Sequence, residues 1–270
     1  MTERIYLDTN AYRYLGVAFE SATLPADLRD RVLHSPLSAF EVMKQLADED
    51  GDAVLRQIHA IRNWTNPLHA GLLPVPDDML RWFWFGKSLV DDGFTKNMQH
   101  SLNICLTTDS VTEIKAEAAA HKEFMVSLKL KAAQDFQAMI VDAKKQPFDF
   151  TKAWFLGIAH RAHADPDSKS RDEVVKILSA YHEYEQSKLQ TALEIPEYNP
   201  LSLKNQNDII DAEQLVYLGD TSLCFLTCDQ GFKKRVKKSE QAARIITVAP
   251  EELLDAQKAE ALLKKMTCPK

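Results

Sequence analysis

The sequence predicts an α/β protein in which a parallel sheet is sandwiched by helices and interrupted by a large helical insertion. Short apolar strands near both ends of the chain alternate with segments of helical periodicity, which is typical of a parallel sheet covered on both faces. The stretch 91–199 between them repeats apolar residues at helical spacing and is rich in Ala, Lys and Glu. With 270 residues, the chain is long enough for one enlarged domain or two small ones.

The first ninety residues are expected to begin with a strand and to continue mainly as helices. Ile5 to Leu7 is a short apolar run that ends in polar residues, which predicts a strand followed by a turn. Two prolines restrict Leu72 to Pro76 to the edge or the end of a strand. Apolar spacing predicts a helix around Tyr14 to Ala18 and further helices over 27–33, 39–46, 53–64 and 79–89.

The middle and last parts of the chain differ in the elements that they predict. Val111 to Val141 and Val174 to Leu193 have the periodicity of long helices, and prolines mark breaks in this region. The last seventy residues return to alternating strands and helices. The expected elements are a helix over 208–218, a strand over 223–227, a turn and short helix over 230–238, a strand over 244–248 and a helix over 251–265.

Composition limits the classes of function. The chain has 33 basic and 39 acidic residues, a formal net charge of -6, which argues against a general nucleic-acid coat and confines any nucleic-acid contact to a local patch. Four scattered cysteines without a Cys-x-x-Cys pair predict neither a disulfide framework nor a structural zinc site, and a reducing cytoplasm fits best. The N-terminus lacks the apolar run of a signal peptide, and no segment reaches membrane-spanning length, so we expect no membrane association.

Five acidic residues occupy positions that favour a functional interpretation. Asp8 directly follows the first strand and Asp229 follows a later strand by one residue, so both are expected at the carboxyl ends of strands, where open α/β sheets bind ligands. Glu41 and Asp211 lie near the starts of predicted helices, where backbone N–H groups favour an anion. Asp208 is three residues before Asp211 and would share its helix face.

Carboxylates that converge need a counter-charge, because like charges repel and raise one another's pKa values. Oxygen ligands without His or thiolate partners suit a hard cation such as Mg²⁺ or Mn²⁺, which completes its shell with water and substrate phosphate oxygens. Such ions orient the attacking water and stabilise the leaving oxygen in phosphodiester hydrolysis. The acids therefore predict a metal-dependent hydrolase of phosphodiesters.

Each acid also has a purely structural interpretation. Ser38 and Glu41 have the spacing of a capping box, in which the glutamate satisfies a backbone N–H group at a helix start. Asp208 and Asp211 are also explained as first-turn helix acids, and Asp8, like Asp229, as a turn or cap residue. The ordered set of strand-end and helix-start acids, rather than any single residue, favours the metal site.

A basic run lies beside the last of these acids. The sequence KKRVKK contributes Lys233, Lys234, Arg235 and Lys237 as candidates for holding an RNA phosphate backbone against the metal site. The alternative is a solvated helix whose last-turn lysines complement the helix dipole.

The motifs at these positions resemble those of the PIN-domain nucleases, metal-dependent ribonucleases that include the VapC-type toxins of toxin–antitoxin pairs. YLDTNAYRYL is similar to the family's opening strand with its first acid, and SAFEVMKQL is similar to its second motif. DAEQLVYLGDTSLCFLTCDQGF resembles the closing unit, a helix followed by a strand that ends in Thr-x-Asp and then an aromatic residue.

The resemblance implies a role for each matched residue and an architecture for the chain. It implies that Asp8, Glu41, Asp211 and Asp229 are the catalytic, metal-binding acids. It makes Asn10 and Thr227 supporting polar residues, with Asp208 as a further supporting residue or an alternative ligand. It implies a PIN-like core of four or five parallel strands from residues 1–90 and 200–270, with 91–199 as a helical insertion.

The leading hypothesis is therefore a Mg²⁺- or Mn²⁺-dependent endoribonuclease, with RNA as its partner and, by the resemblance, an antitoxin protein and a second copy of the chain as further partners. One alternative is a non-catalytic PIN-like module that binds RNA or protein. The other is a metal-dependent phosphatase or DNA nuclease that uses the same acids, since the chemistry of these reactions is shared.

Overall fold

The centre of the fold is one sheet of four parallel strands. A computed structural model describes residues 4–66, 71–87, 93–145 and 147–267. The strands are β1 (Arg4–Leu7), β2 (Val32–Leu33), β3 (Leu223–Thr227) and β4 (Ile245–Thr247). They are ordered β2-β1-β3-β4, and every pairing is parallel. The predicted α/β class with a parallel sheet is therefore confirmed.

The central strands are buried on both faces, as expected for parallel strands between helical layers. Ile5 of β1 pairs with Val32 on one side and with Cys224 on the other. The side chain of Tyr6 packs in one hydrophobic cluster, whereas Ile5 and Leu7 pack in the other. The sheet thus separates two layers of the core.

In the described residues before 88, the chain forms five α-helices and a 3-10 helix over Lys44–Ala47. The α-helices are α1 (Thr9–Ala18), α2 (Ala26–Arg29), α3 (Pro36–Met43), α4 (Gly51–Trp64) and α5 (Pro76–Phe85). Residues 88–90, which include the end of the helix expected over 79–89, lie outside the described ranges. The predicted edge strand at Leu72 to Pro76 is reduced to a single bridge between Leu72 and His34.

The helix expected over 27–33 is wrong in its second half. Helix α2 ends at Arg29, and Val32 and Leu33 instead form β2, which hydrogen-bonds to the edge of β1. Pairing with β1 buries both side chains, and this gain in the folded protein outweighs the local helical pattern.

The middle third of the chain is helical, as predicted. Its helices are α6 (Gly93–Thr107), α7 (Val111–Ala143), α8 (Phe150–Arg161), α9 (Arg171–Ile177) and α10 (Ser179–Glu194). Their buried side chains join both clusters beside the sheet. Met125 of α7 belongs to the cluster of Ile5 and Leu7, and Phe136 belongs to that of Tyr6. Helix α7 therefore passes along the core rather than standing away from it.

The last part supplies α11 (Leu203–Glu213), α12 (Gln230–Arg235), α13 (Pro250–Leu253) and α14 (Ala256–Lys265). Helix α11 begins five residues earlier than predicted, at the cap residue Ser202, and a 3-10 helix over Gln214–Gly219 follows it. Asp211 thus lies in the last turn of its helix, so the expected stabilisation by a helix N-terminus does not apply.

Two further expectations concern membrane-spanning helices and the oxidation state of the cysteines. In the described part of the chain, no helix combines the length and apolarity needed to cross a membrane. Cys105 and Cys228 are free thiols, whereas Cys224 is disulfide-bonded, which the prediction of a reducing compartment did not anticipate.

Candidate acidic site

Asp8 lies at the junction of β1 and α1 and is only 5% exposed. Its Oδ1 accepts a hydrogen bond from the backbone N–H of Ala11 at 2.6 Å, which caps α1. Its Oδ2 accepts a hydrogen bond from the hydroxyl of Thr227. Burial raises the pKa of Asp8, these hydrogen bonds lower it, and the charge of Asp229 raises it further. Hydrogen bonds to both oxygens thus hold the carboxylate in one orientation, and Asp8 acts as the N-cap of α1.

Thr227 joins the ends of the two central strands. It is the last residue of β3 and is fully buried. Its hydroxyl donates to Asp8 and accepts from the backbone N–H of Asp229 at 2.9 Å. Asp229 in turn caps α12, because its Oδ1 accepts from the N–H of Gly231 at 2.6 Å. One hydroxyl therefore couples the side chain of Asp8 to the backbone position of Asp229.

Asp211 is the acid without a local partner. Its half-buried carboxylate makes no hydrogen bond or ion pair with any residue that the structure describes. Burial raises its pKa from 3.8 to about 7, the charges of Asp208, Asp8 and Asp229 also raise it, and Lys129 lowers it. The charges of Asp8 and Asp229 thus act on Asp211, which lies in the last turn of α11.

Glu41 lies beside this site but carries its own counter-charges. Its Oε2 lies 2.9 Å from Nζ of Lys44 and 3.0 Å from Nζ of Lys129. Its expected position near a helix start is wrong, since Glu41 lies two residues before the end of α3. A metal ion that bound Glu41 directly would have to displace two ammonium groups. The structure therefore separates Glu41 from the other three acids in its electrostatic role.

The capping-box interpretation of Ser38 and Glu41 is also wrong. Helix α3 begins at Pro36, so Ser38 is inside the helix. Its hydroxyl donates to the carbonyl oxygen of Leu7 at 2.8 Å and accepts from Nε2 of Gln214 at 2.7 Å. Ser38 thus fixes α3 to the end of β1.

Two residues, one half-buried and one buried, were not predicted from the sequence, because only long-range packing brings them to the site. Lys129, on α7, contacts Glu41 and also donates to Oδ1 of Asn207 at 2.7 Å. Gln214, which directly follows α11, bonds to Ser38 through its amide nitrogen. Lys129 is one of several lysines on its helix, and Gln214 is a polar residue that follows a helix. Neither pattern by itself predicts a functional residue.

Asp208 is neutralised by the predicted basic run. Its Oδ1 lies 2.5 Å from a guanidinium nitrogen of Arg235 and accepts from the hydroxyl of Tyr184 at 3.0 Å. The same guanidinium lies 4.8 Å from the ring centroid of Tyr184. Arg235 is therefore engaged within the protein rather than free to bind phosphate. The remaining members of the predicted RNA-binding set are exposed: Lys233, Lys234 and Lys237.

Asn10 does not act as the resemblance implies. It is the second residue of α1, its side chain is exposed, and it forms no hydrogen bond with the described part of the chain. The hydroxyl of Thr227, rather than the amide of Asn10, orients Asp8.

The donor chemistry of the three acids suits a hard divalent cation. The free carboxylate of Asp211 and Oδ2 of Asp229, which accepts no hydrogen bond from the residues of known position, are oxygen ligands of the kind that Mg²⁺ prefers. Within 4–66, 71–87, 93–145 and 147–267, however, no three His, Cys, Asp or Glu side chains lie close enough together to hold a metal ion as they stand. No protein-family model, curated protein or solved structure matches the chain.

Proposed function

We propose that the chain is a Mg²⁺- or Mn²⁺-dependent endoribonuclease that hydrolyses RNA phosphodiester bonds at the site of Asp8, Asp211 and Asp229. The observation that supports this proposal is the junction at the carboxyl ends of β1 and β3, where the hydroxyl of Thr227 donates to Asp8 and accepts from the N–H of Asp229. The charges of both acids also raise the pKa of Asp211. Acids without counter-charges at such a position destabilise the folded state, and a bound cation would neutralise their charges.

A complete cage of protein ligands is not required for this role. Mg²⁺ usually keeps several waters and is held by one or two carboxylates together with substrate phosphates. When bound, the ion would supply a polarised phosphate oxygen and an activated water. The proposal therefore accommodates three acids that do not by themselves enclose an ion.

The residues of the chain have distinct parts in the proposal. Asp8 is the fixed acid, because both of its oxygens are hydrogen-bonded. Asp211 and Asp229 are the acids with free oxygen atoms. Glu41 holds Lys129, whose ammonium group contributes positive charge for an RNA phosphate beside the acids. Exposed lysines of the basic run extend this charge along the bound strand.

The test is cleavage of labelled single-stranded RNA by protein purified free of host ribonuclease. We expect cleavage with Mn²⁺ or Mg²⁺, none with EDTA, and a loss of at least about 100-fold in Asp8→Asn. Asp50→Asn is the matched control, because Asp50 caps α4 as Asp8 caps α1, by accepting a hydrogen bond from the N–H of Ala53 at 2.8 Å. Equal cleavage by wild type and Asp8→Asn would rule the proposal out.

The ion pairs of Glu41 favour one second candidate, a non-catalytic module of the same architecture that binds RNA or protein. Such a module would bind its partner without cleaving RNA, and Mn²⁺ would not raise its melting temperature. Parallel assays with single-stranded DNA and a phosphomonoester separate the ribonuclease from a DNA nuclease or a phosphatase. The toxin role with an antitoxin partner, the homodimer and the cytoplasmic location remain predictions.

A further inference from the structure

A pocket of about 190 Å³ opens next to the acidic site. Its lining comes from six helices and the segment before α5. Most of the lining residues are apolar: Pro36, Leu37, Val75, Pro76, Phe94, Phe124 and Leu128. An engineered apolar cavity of about 150 Å³ is known to admit benzene, so this pocket is large enough for an aromatic ring.

The pocket lies at the same edge of the sheet as the acids. Pro36 and Leu37 form the first turn of α3, which follows the carboxyl end of β2. Val75 and Pro76 stand at the start of α5, shortly after Leu72 bridges in parallel to His34. The carboxyl ends of parallel strands share one edge, and the first turns of the helices that follow them lie there too.

Two helices contribute consecutive or neighbouring residues to the pocket and to the acidic site. On α7, Leu128 lines the pocket and the next residue, Lys129, pairs with Glu41. On α3, Leu37 lines the pocket one helical turn before Glu41. The pocket therefore adjoins the Glu41–Lys129 ion pair, which lies beside the acids.

Aromatic rings at the pocket provide a stacking surface. The side chain of Phe94 is 50% exposed, and its ring centroid lies 5.7 Å from that of Phe124. An exposed phenylalanine on the wall of a pocket leaves a large apolar face uncovered, and such faces are used to stack the bases of single-stranded nucleic acids.

The polar wall of the pocket carries more carboxylates than guanidinium groups. Arg161 bridges Asp77 and Glu213 through hydrogen bonds of 2.7 to 2.8 Å. Arg81 pairs with the buried Asp78 at 3.1 Å. Three carboxylates thus face two guanidinium groups around an apolar floor. A neutral ring that carries N–H donors on its edge suits this wall better than an anion does.

We propose that this pocket receives one unpaired base of the RNA strand whose phosphodiester lies at the acids. The inference rests on the proposed function and names its substrate as single-stranded. The base stacks on Phe94 and directs its N–H donors towards the carboxylates of Asp77 and Glu213, which are already held in place by Arg161. A base in a duplex has to leave its pair before it enters such a pocket.

Binding of a labelled single-stranded RNA, with Ca²⁺ in place of Mg²⁺ or Mn²⁺, tests the pocket separately from cleavage. One abasic nucleotide is moved through the strand, one position at a time. Loss of a stacked base costs about 1–3 kcal/mol, so we expect the dissociation constant of wild type to rise about 10-fold or more at one position only. Leu128→Trp, which fills the pocket, should bind intact RNA about 10-fold more weakly and lose its sensitivity to that abasic position.

Leu130→Trp is the matched control, because Leu130 is an exposed residue of the same helix that does not line the pocket. Leu130→Trp should behave as wild type. Phe94→Ala removes the stacking ring without filling the pocket, and it should weaken RNA binding as Leu128→Trp does. The proposal is overturned if no position is sensitive, if sensitivity persists in Leu128→Trp, or if RNA does not bind. Base-selective binding without cleavage by Mn²⁺-loaded protein would sustain the pocket and reject the hydrolase.

Discussion

Nζ of Lys129 lies 3.0 Å from Oε2 of Glu41, which ties the long helix α7 to α3 beside the sheet. Lys129 also lowers the pKa of Asp211, so its charge reaches the acids as well. Helix α7 is therefore part of the candidate site. Lys129 is the residue through which the helical middle third acts on the chemistry proposed for the core.

Lys129→Met should change both the level and the pH dependence of RNA cleavage. Removing the ammonium group leaves the pKa of Asp211 higher than about 7, so the acidic limb of the pH profile should move to higher pH. We also expect a fall of about 10-fold at pH 7.5 from the lost positive charge. Lys122→Met is the control, since Lys122 lies on the same helix and pairs with Asp48 at 2.7 Å. A profile that coincides with wild type contradicts the assigned role.

Thr227→Val should destabilise the protein. The change leaves the buried oxygen of Asp8 without its donor and the N–H of Asp229 without its acceptor, which costs about 1–3 kcal/mol of unfolding free energy. Denaturant unfolding measures the difference. Thr247→Val is a matched control, because Thr247 pairs with Thr227 in the sheet and its buried hydroxyl has no hydrogen-bond partner among the residues that the structure describes. Equal effects of the two substitutions would show that the hydroxyl link contributes nothing.

Asp211→Asn should stabilise the protein at neutral and higher pH. The folded pKa of Asp211, about 7, is above its ordinary value of 3.8, so the native state binds the proton more tightly than the unfolded state does. Wild type therefore loses stability as the pH rises from about 4 to about 7, and the asparagine variant escapes this loss.

The advantage of Asp211→Asn at pH 8, after allowance for partial exposure, is expected to be about 2 kcal/mol of unfolding free energy. It should shrink to a small fraction of that value near pH 4, which is close to the ordinary pKa of 3.8 and far below the folded pKa of about 7. Thermal unfolding without divalent cations, from pH 4 to pH 8, measures it. Asp142→Asn, an exposed acid of α7, serves as the control. A constant difference across this range would show that Asp211 has an ordinary pKa.

The sequence predicted the parts of the fold that depend on local pattern. The strand expected over 223–227 coincides with β3. A continuous apolar run with a polar end predicts both a strand and its burial in the core of the sheet. Asp8 and Asp229 were placed correctly after strands for the same reason. By contrast, β2 has only two residues, and such a short strand exists only because β1 provides its hydrogen bonds.

The parts of the site that the sequence did not predict depend on contacts between distant segments. Lys129 and Glu41 are 88 residues apart, and Gln214 and Ser38 are 176 residues apart. Nothing in the spacing of either pair signals a contact. Asp211 was expected at a helix start because the true cap, Ser202, lies nine residues earlier in a segment without strong periodicity.

Binding of Mn²⁺ to the purified, metal-free protein tests the central claim most directly, and electron paramagnetic resonance of the free ion measures it. Asp229→Asn retains a good helix cap while it removes a charge from the site, and Asp255→Asn is its counterpart at α14, where Asp255 accepts from the N–H of Lys258 at 2.9 Å. The account predicts that wild type and Asp255→Asn bind Mn²⁺ equally and that Asp229→Asn binds it at least about 10-fold more weakly. Equal binding by all three proteins, or no binding by wild type, would contradict it.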